Sequence, residues 1–275
     1  MNIKEFFPPI LIRLAKRAKG LEDSKEYESY SKAMQVCTSD AYQNIELCNM
    51  IADKTVIHID ILKEKPFSLN PTNVFLLAAI NQYLNVYSTK SLKVLDFGGA
   101  CGAHYFEIRR FIPNDVSLKW YVVETAQMVK SAIDRKLNSN ELVFVSSIED
   151  IKTEIDFIHS SGALQYVHSP YEFTNMLINI NANWIFVNRM MFNENDRDFI
   201  TVQKSFLSSN GPGKLPKGYT DRIISYPHTT MSFHKFNSTI INNGYEVEWM
   251  FLETSGSYQI KNEKIIGKGL LYVRK

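Results

Sequence analysis

The chain has little cysteine, no long apolar run and no strong excess of charge of either sign. Its three cysteines, Cys37, Cys48 and Cys101, are odd in number and lack metal-ligand spacing, which favours a reducing compartment over a disulfide scaffold and implies no structural zinc site. Metal dependence stays open. No apolar run reaches the roughly 18 residues of a membrane span, and the first residues lack a signal-peptide pattern. We therefore expect a cytoplasmic protein.

The weak charge bias also argues against one class of partner, nucleic acids. A net charge of +2 over 275 residues, without a basic patch interleaved with aromatic residues, argues against nucleic-acid binding. With 45% hydrophobic and 22% charged residues, the chain can bury one large core. Composition is therefore typical of a globular enzyme of one domain with extensions.

One segment, Leu92–Phe106 (LKVLDFGGACGAHYF), carries the clearest signal that is present. Val94, Leu95 and Phe97 suit a buried central strand of a parallel sheet. The small residues that follow allow a ligand to approach the backbone closely before a helix begins. We expect a nucleoside cofactor at this turn, bound by Gly98, Gly99, Ala100 and Gly102.

Spacing distinguishes between two cofactor classes. A dinucleotide fingerprint needs glycine at its first, third and sixth positions, but counting from Gly98 the chain has Ala100 and Ala103 at the last two. This argues against NAD. A carboxylate, Asp96, followed by small residues instead resembles motif I of class I S-adenosylmethionine methyltransferases, with Ala100 where glycine is usual.

Two further predicted strands end in residues suited to the adenosine part of that cofactor. The strand Leu118–Val123 ends in Glu124, about 20 residues past the turn, where an acidic side chain binds ribose hydroxyls. The strand Leu142–Val145 is followed by Ser147 and Ile148, which the methyltransferase pattern places against the adenine.

The fourth predicted strand, Ile155–His159, runs into Ser160 and the segment SSGALQYV. This part of the sheet edge faces the methionine end of the cofactor in methyltransferases, and His104 is expected near the methionine carboxylate. Gln165 and Tyr166 lie where related enzymes place residues near the transferred methyl group. We expect these two side chains to orient the acceptor.

The last strands predict the fold class. Trp184–Val187 is a fifth strand, and Glu246–Leu252 and Gly269–Val273 form a final hairpin with no helix between them. A parallel sheet that ends in an antiparallel hairpin indicates an α/β, Rossmann-like, seven-stranded class I methyltransferase sheet. We assign residues 91–275 to this domain, with a substrate insertion at about 190–244 that contains a mobile loop.

Residues 1–90 are predicted to form an N-terminal helical cap over the cofactor and acceptor pocket. The apolar spacing indicates helices within Lys25–Val56 and over Asn73–Val86. Residues 1–20 combine apolar side chains with a basic face. This segment suits a helix docked on the enzyme's own core, or peripheral contact with an anionic membrane surface.

A methyl acceptor of high pKa needs a general base, for which histidine is suited near neutral pH. His159 at the fourth strand and His228 in the insertion are the two catalytic candidates. Insertions at the carboxyl end of a parallel sheet commonly build substrate specificity. Arg189 and Tyr226 are therefore further acceptor-site candidates.

Motifs over nearly the whole chain, including PPILIRLAKR, SYSKAMQVC, VVETAQMV, SSGALQYV and SYPH, resemble a family of class I methyltransferases from bacterial polysaccharide loci. The resemblance implies a role in O-antigen or capsule synthesis and a sugar or glycan acceptor, nucleotide- or lipid-linked. His228 stands where family members commonly have an aromatic residue, and His159 where an apolar residue is usual.

Three functions stay open at this point. The chain is predicted to O-methylate a sugar, nucleotide sugar or surface glycan; to be a weakly catalytic scaffold or regulator in a glycan-assembly complex; or to methylate a small molecule or protein. Nucleic-acid methylation is disfavoured, because HSSG stands where amino-methylating enzymes have a proline-rich tetrapeptide. The oligomeric state is not predicted.

Overall fold

A computed structural model describes residues 25–37, 43–66, 69–260 and 262–275. Residues 1–20, with their predicted helix and membrane contact, lie outside this part of the chain. The strands are β1 (Ser91–Phe97), β2 (Ser117–Val123), β3 (Leu142–Val145), β4 (Phe157–Ser161), β5 (Trp184–Asn193), β6 (Phe199–Phe206), β7 (Ile223–Ser232), β8 (Tyr245–Ile260) and β9 (Glu263–Arg274). The helices are α1 (Tyr30–Met34), α2 (Ile45–Leu62), α3 (Pro71–Val86), α4 (Ala103–Ile108), α5 (Ala126–Asp134), α6 (Pro170–Ile178) and α7 (Phe233–Ile241).

The centre of the molecule is a parallel sheet in the order β3-β2-β1-β4-β5. Its inner strands bury apolar side chains on both faces, as strands between two helical layers must. The order places β1 in the middle, so that the glycine-rich turn after it opens at the centre of the sheet edge.

The last two strands extend this sheet beyond β5. Strand β9 pairs antiparallel with β5, and β8 pairs antiparallel with β9. The predicted Rossmann-like methyltransferase sheet with a C-terminal antiparallel hairpin is therefore confirmed. Both hairpin strands are longer than the sequence pattern indicates. The division of the chain into a cap and a sheet domain stays a prediction.

The substrate insertion contains regular structure. Strand β5 continues past Val187 to Asn193, and its last residues pair in parallel with β7. Strand β6 pairs antiparallel with β7 along its whole length, and α7 follows. The insertion is thus a two-stranded ribbon standing over the carboxyl edge of the sheet.

Two helices of the N-terminal region begin at clear caps. The side chain of Asn44 accepts a hydrogen bond from the Leu47 N–H at the start of α2. The side chain of Asn70 caps α3, where Pro71 takes the first helical position. An N-terminal helical region is therefore present. Among the described residues, no helix is both long and apolar enough to cross a membrane.

A buried lysine connects this helical region to the insertion. Lys54 of α2 is 1% exposed, and its Nζ donates to the backbone oxygens of Ser208 (2.8 Å), Asn210 (2.6 Å) and Gly211 (3.1 Å). Burial lowers the pKa of Lys54 to about 8. The first residues of the predicted mobile loop are therefore tied to α2.

Replacing Lys54 with methionine is expected to lower the free energy of unfolding by about 3 kcal/mol, because three carbonyl groups lose a charged donor. Urea denaturation measures the change. The control is Lys63→Met at the C-terminal cap of the same helix, where the lysine side chain is 71% exposed and pairs with Asp60. That control is expected to shift stability by less than about 0.5 kcal/mol. Equal effects of the two substitutions would contradict the anchoring role.

Candidate active site

The turn after β1 follows a tight backbone path. Gly98 (φ +72°), Ala100 (φ +49°) and Gly102 (φ +79°) all adopt left-handed conformations. A Cβ on Gly99 would lie 2.4 Å from Oδ2 of Asp96, so no larger residue fits there without a shift. Ala100 is a non-glycine residue held at positive φ, a strain that costs about 1–2 kcal/mol.

The carboxylate of Glu124 crosses from the end of β2 to this turn. Its Oε1 accepts the N–H of Ala100 (3.0 Å), and its Oε2 accepts the N–H of Thr125 (2.9 Å). Burial raises the pKa of Glu124 to about 7. Because each carboxylate oxygen has more than one lone pair, both oxygens can still accept hydrogen bonds from a ligand.

Glu124 borders a cavity of about 950 Å³. The cavity extends along the carboxyl ends of β1 to β5, where Phe97, Val123, Ser146, Ser161 and Arg189 reach its wall. It continues beneath the ribbon and against α1 to α3. Ligands of open α/β sheets bind at this edge, and the volume suits a nucleoside-sized ligand and a second molecule.

Asp96 lies beneath the turn, fully buried, and accepts three hydrogen bonds. His159 donates from Nδ1 (2.9 Å), His104 from Nδ1 (3.1 Å) and Trp120 from Nε1 (3.2 Å). Burial alone would raise the pKa of Asp96, but the two histidines outweigh burial and hold it well below its usual range. The carboxylate therefore fixes the orientation of His104 and His159.

Asp96, His104 and His159 are also the one group in the described part of the chain whose ligand atoms lie close enough to hold a metal ion, all within 4.8 Å of one another. Their contacts of 2.9 and 3.1 Å are hydrogen bonds between imidazole and carboxylate.

Many of the residues assigned from the sequence border the one cavity. Those predicted to bind the cofactor are Gly98, Gly99, Ala100, His104, Glu124, Ser147 and Ile148. Those predicted to contact the acceptor are Gln165, Tyr166, Arg189 and Tyr226. The individual roles given to them stay predictions.

Other assigned residues lie behind the wall. Asp96 and Gly102 support the turn, and the Ser160 hydroxyl donates to the Phe97 backbone oxygen (3.1 Å), connecting β4 to β1. His159 is completely buried, and burial lowers its pKa despite the nearby carboxylate of Asp96. These four residues are not among those that border the cavity, and the roles assigned to them stay predictions.

His228, the second candidate base, is 5% exposed and packs beside Tyr166 with ring centroids 5.3 Å apart. Burial lowers the pKa of His228 to about 4. Its imidazole is therefore neutral at physiological pH and supports the Tyr166 ring from behind.

Sequence reasoning missed a buried polar group at the cavity wall. Glu107 of α4 accepts from Asn73 Nδ2 (2.6 Å) and pairs with His58 Nε2 (2.9 Å). Glu107 and Asn73 both border the cavity. Helical spacing places Glu107 one turn after His104, on the same face, but its partners on α2 and α3 are far away in sequence.

No protein-family model and no curated protein matches the chain. Solved structures with a similar fold include an S-adenosylmethionine-dependent methyltransferase from Clostridium acetobutylicum (10% identity, 81% of this chain and 98% of that chain, TM-score 0.48). Others are the CcbJ methyltransferase from Streptomyces caelestis (10%, 82% and 98%, 0.48) and magnesium protoporphyrin IX methyltransferase from Synechocystis PCC 6803 (12%, 84% and 97%, 0.43). At such identities and TM-scores, these likenesses do not determine activity or ligand.

Proposed function

We propose that the protein is an S-adenosylmethionine-dependent methyltransferase. One observation carries the proposal. The carboxylate of Glu124, at the end of β2, accepts a hydrogen bond from the glycine-rich turn after β1, and Glu124 borders the large cavity. The residues present fit this cofactor, because a carboxylate with free lone pairs, a turn of small residues and the apolar Ile148 surround one space. When bound, the cofactor supplies an electrophilic methyl group.

In this proposal the carboxylate of Glu124 accepts hydrogen bonds from the ribose hydroxyls, as an acidic residue at the end of the second strand does in Rossmann-like sheets. Ile148 offers an apolar surface to the adenine, and Ser147 lies beside it with a hydroxyl. His104, oriented by Asp96, borders the same cavity next to the glycine-rich turn.

We propose a sugar, nucleotide sugar or glycan as the acceptor, methylated on oxygen. The acceptor half of the cavity supports this, because its wall presents hydroxyl and amide groups that pair well with sugar hydroxyls. Thr55, Asn73, Gln165, Tyr166, Gln203 and Ser205 are among them. A role in polysaccharide synthesis, a cytoplasmic location and peripheral membrane contact stay predictions from the sequence.

Catalysis then rests on positioning and exclusion of water. Tyr166 is held on the acceptor side because its hydroxyl donates to Oε1 of Gln203 (2.9 Å) and its backbone oxygen accepts from the Tyr30 hydroxyl (2.7 Å). His104 is the proposed proton acceptor for a hydroxyl substrate. With Nδ1 donating to Asp96, its Nε2 keeps a lone pair, whereas His159 and His228 lie behind the wall.

The test uses S-adenosylmethionine with a radiolabelled methyl group and a panel of nucleotide sugars, lipid-linked sugars, small phenols and peptides. We expect label in an ether linkage on a sugar, and about a hundredfold or greater loss of turnover in His104→Asn. Tight binding of S-adenosylhomocysteine without transfer to any of these would favour the scaffold function. Label only in phenols or peptides would contradict the glycan acceptor.

A further inference from the structure

We propose that the methyl acceptor carries an anionic group, a carboxylate or a phosphate, and that Arg189 binds it. The inference rests on the proposed methyltransferase function and specifies its substrate class. Three observations support it: the backbone conformation of Arg189, its positive charge, and its position at the carboxyl end of β5.

Arg189 occupies an irregular position in β5. The pairing of β5 with β9 shifts register between Val187 and Met190, and Arg189 in this bulge has φ +56°. A non-glycine residue in the left-handed region is strained and persists only where its surroundings hold it. Bulges of this kind commonly redirect a side chain next to an active site.

Three hydrogen bonds hold the bulge. The Arg189 N–H donates to Oε1 of buried Glu253 (2.6 Å), and the Arg189 backbone oxygen accepts from Nε2 of Gln165 (3.2 Å). Gln165 also accepts the Met191 N–H at its Oε1 (3.1 Å). Both ends of the Gln165 amide therefore bond to the backbone around Arg189, which makes Gln165 a positioning residue.

Arg189 places a positive charge on the cavity wall at this point. Arg189 is the only lysine or arginine among the described residues of the wall, its side chain is exposed, and no carboxylate of the described chain lies within ion-pair distance of it. It interacts electrostatically with Glu253, whose Oε1 already accepts the Arg189 N–H. The wall carboxylate Glu107 is paired with His58 and Asn73.

The position of Arg189 favours the acceptor over the cofactor. Strand β5 is three strands from β2, where Glu124 lies, which corresponds to about 14 Å across the sheet. The glycine turn and His104 lie between them. A planar guanidinium presents paired donors that match carboxylate and phosphate oxygens. A uronic acid and a phosphorylated sugar therefore share the chemistry that Arg189 would recognise.

The experiment compares the parent protein with Arg189→Gln, Arg189→Lys and the control Arg274→Gln, whose arginine lies at the end of β9 away from the cavity. Binding of glucuronate, glucose 1-phosphate, inorganic phosphate and neutral glucose is measured by NMR, with and without saturating S-adenosylhomocysteine. S-adenosylhomocysteine affinity is measured separately by calorimetry.

We expect an anionic probe to bind the parent and Arg274→Gln, and to bind Arg189→Gln about tenfold to hundredfold more weakly. Arg189→Lys keeps part of the binding, and S-adenosylhomocysteine affinity stays within about threefold in all variants. Preference for glucuronate would identify the anionic group of the acceptor as a carboxylate, and preference for glucose 1-phosphate or phosphate would identify it as a phosphate.

Failure of every anionic probe to bind the parent, or equal binding of glucose and the anions, would overturn the proposal. Loss of S-adenosylhomocysteine in Arg189→Gln would overturn it too, by assigning Arg189 to the cofactor. If the parent protein binds anions through Arg189 but does not bind S-adenosylhomocysteine, the methyltransferase function is contradicted and the anion-binding site is still supported.

Discussion

Replacing Asp96 with alanine is expected to lower the free energy of unfolding by about 3–5 kcal/mol, because three N–H donors lose a buried charged acceptor. The carboxylate is fully buried and accepts from His104, His159 and Trp120. Without it, the Nδ1–H of His159 and the indole N–H of Trp120 lose a buried hydrogen-bond acceptor. Chemical denaturation followed by circular dichroism measures the loss.

The matched control is Asp115→Ala. Asp115 accepts a hydrogen bond from a cation, Lys90, but both side chains are more than half exposed. We expect this control to leave stability close to that of the parent, because water and salt screen the exposed pair. A small loss for Asp96→Ala, similar to the control, would contradict a supporting role for the buried carboxylate.

The pH dependence of the Asp96 contribution has a definite sign. The folded-state pKa lies well below the ordinary value, so the stabilisation is present above the unfolded pKa near 4 and is lost as the pH falls below it. Stability curves of the parent and Asp96→Ala should therefore converge in acid.

Replacing Glu124 with alanine is expected to weaken S-adenosylhomocysteine binding at least tenfold, because two ribose hydroxyls lose a charged acceptor. Calorimetric titration measures the affinity. The control is Glu64→Gln, an exposed residue that does not border the cavity, and its affinity should equal that of the parent. Unchanged affinity in a folded Glu124→Ala protein would contradict the assignment.

The same residue makes binding pH-dependent. Burial raises the pKa of Glu124 to about 7. The ionised carboxylate is the form that accepts hydrogen bonds from the ribose hydroxyls. Affinity should therefore fall by up to about tenfold for each pH unit below 7 and level off above it. Glu124→Gln has no such titration and should bind weakly with little change over this range.

The sheet could be predicted from sequence because each parallel strand is a short apolar run ending in a polar residue. Leu142–Val145 has the predicted bounds, and β4 lies two residues later than predicted. The ribbon of β6 and β7 was missed, because the glycine- and proline-rich loop that joins the two strands made the whole insertion look irregular.

Side-chain burial could not be read from residue type. Histidine at positions 159 and 228 suggests a base, but packing of neighbouring strands buries both imidazoles behind the cavity wall. Glu107 was missed for a related reason, since its polar partners lie 49 and 34 residues away in the chain. Arg189 was found as a candidate, but the bulge that holds it depends on pairing with β9.

The most direct test of the central claim is calorimetric titration of the purified protein with S-adenosylhomocysteine, with NAD as the comparison ligand. The cavity bordered by Glu124 predicts micromolar binding of S-adenosylhomocysteine and none of NAD. Binding of NAD, or of neither ligand, would contradict the assignment of this cavity to S-adenosylmethionine.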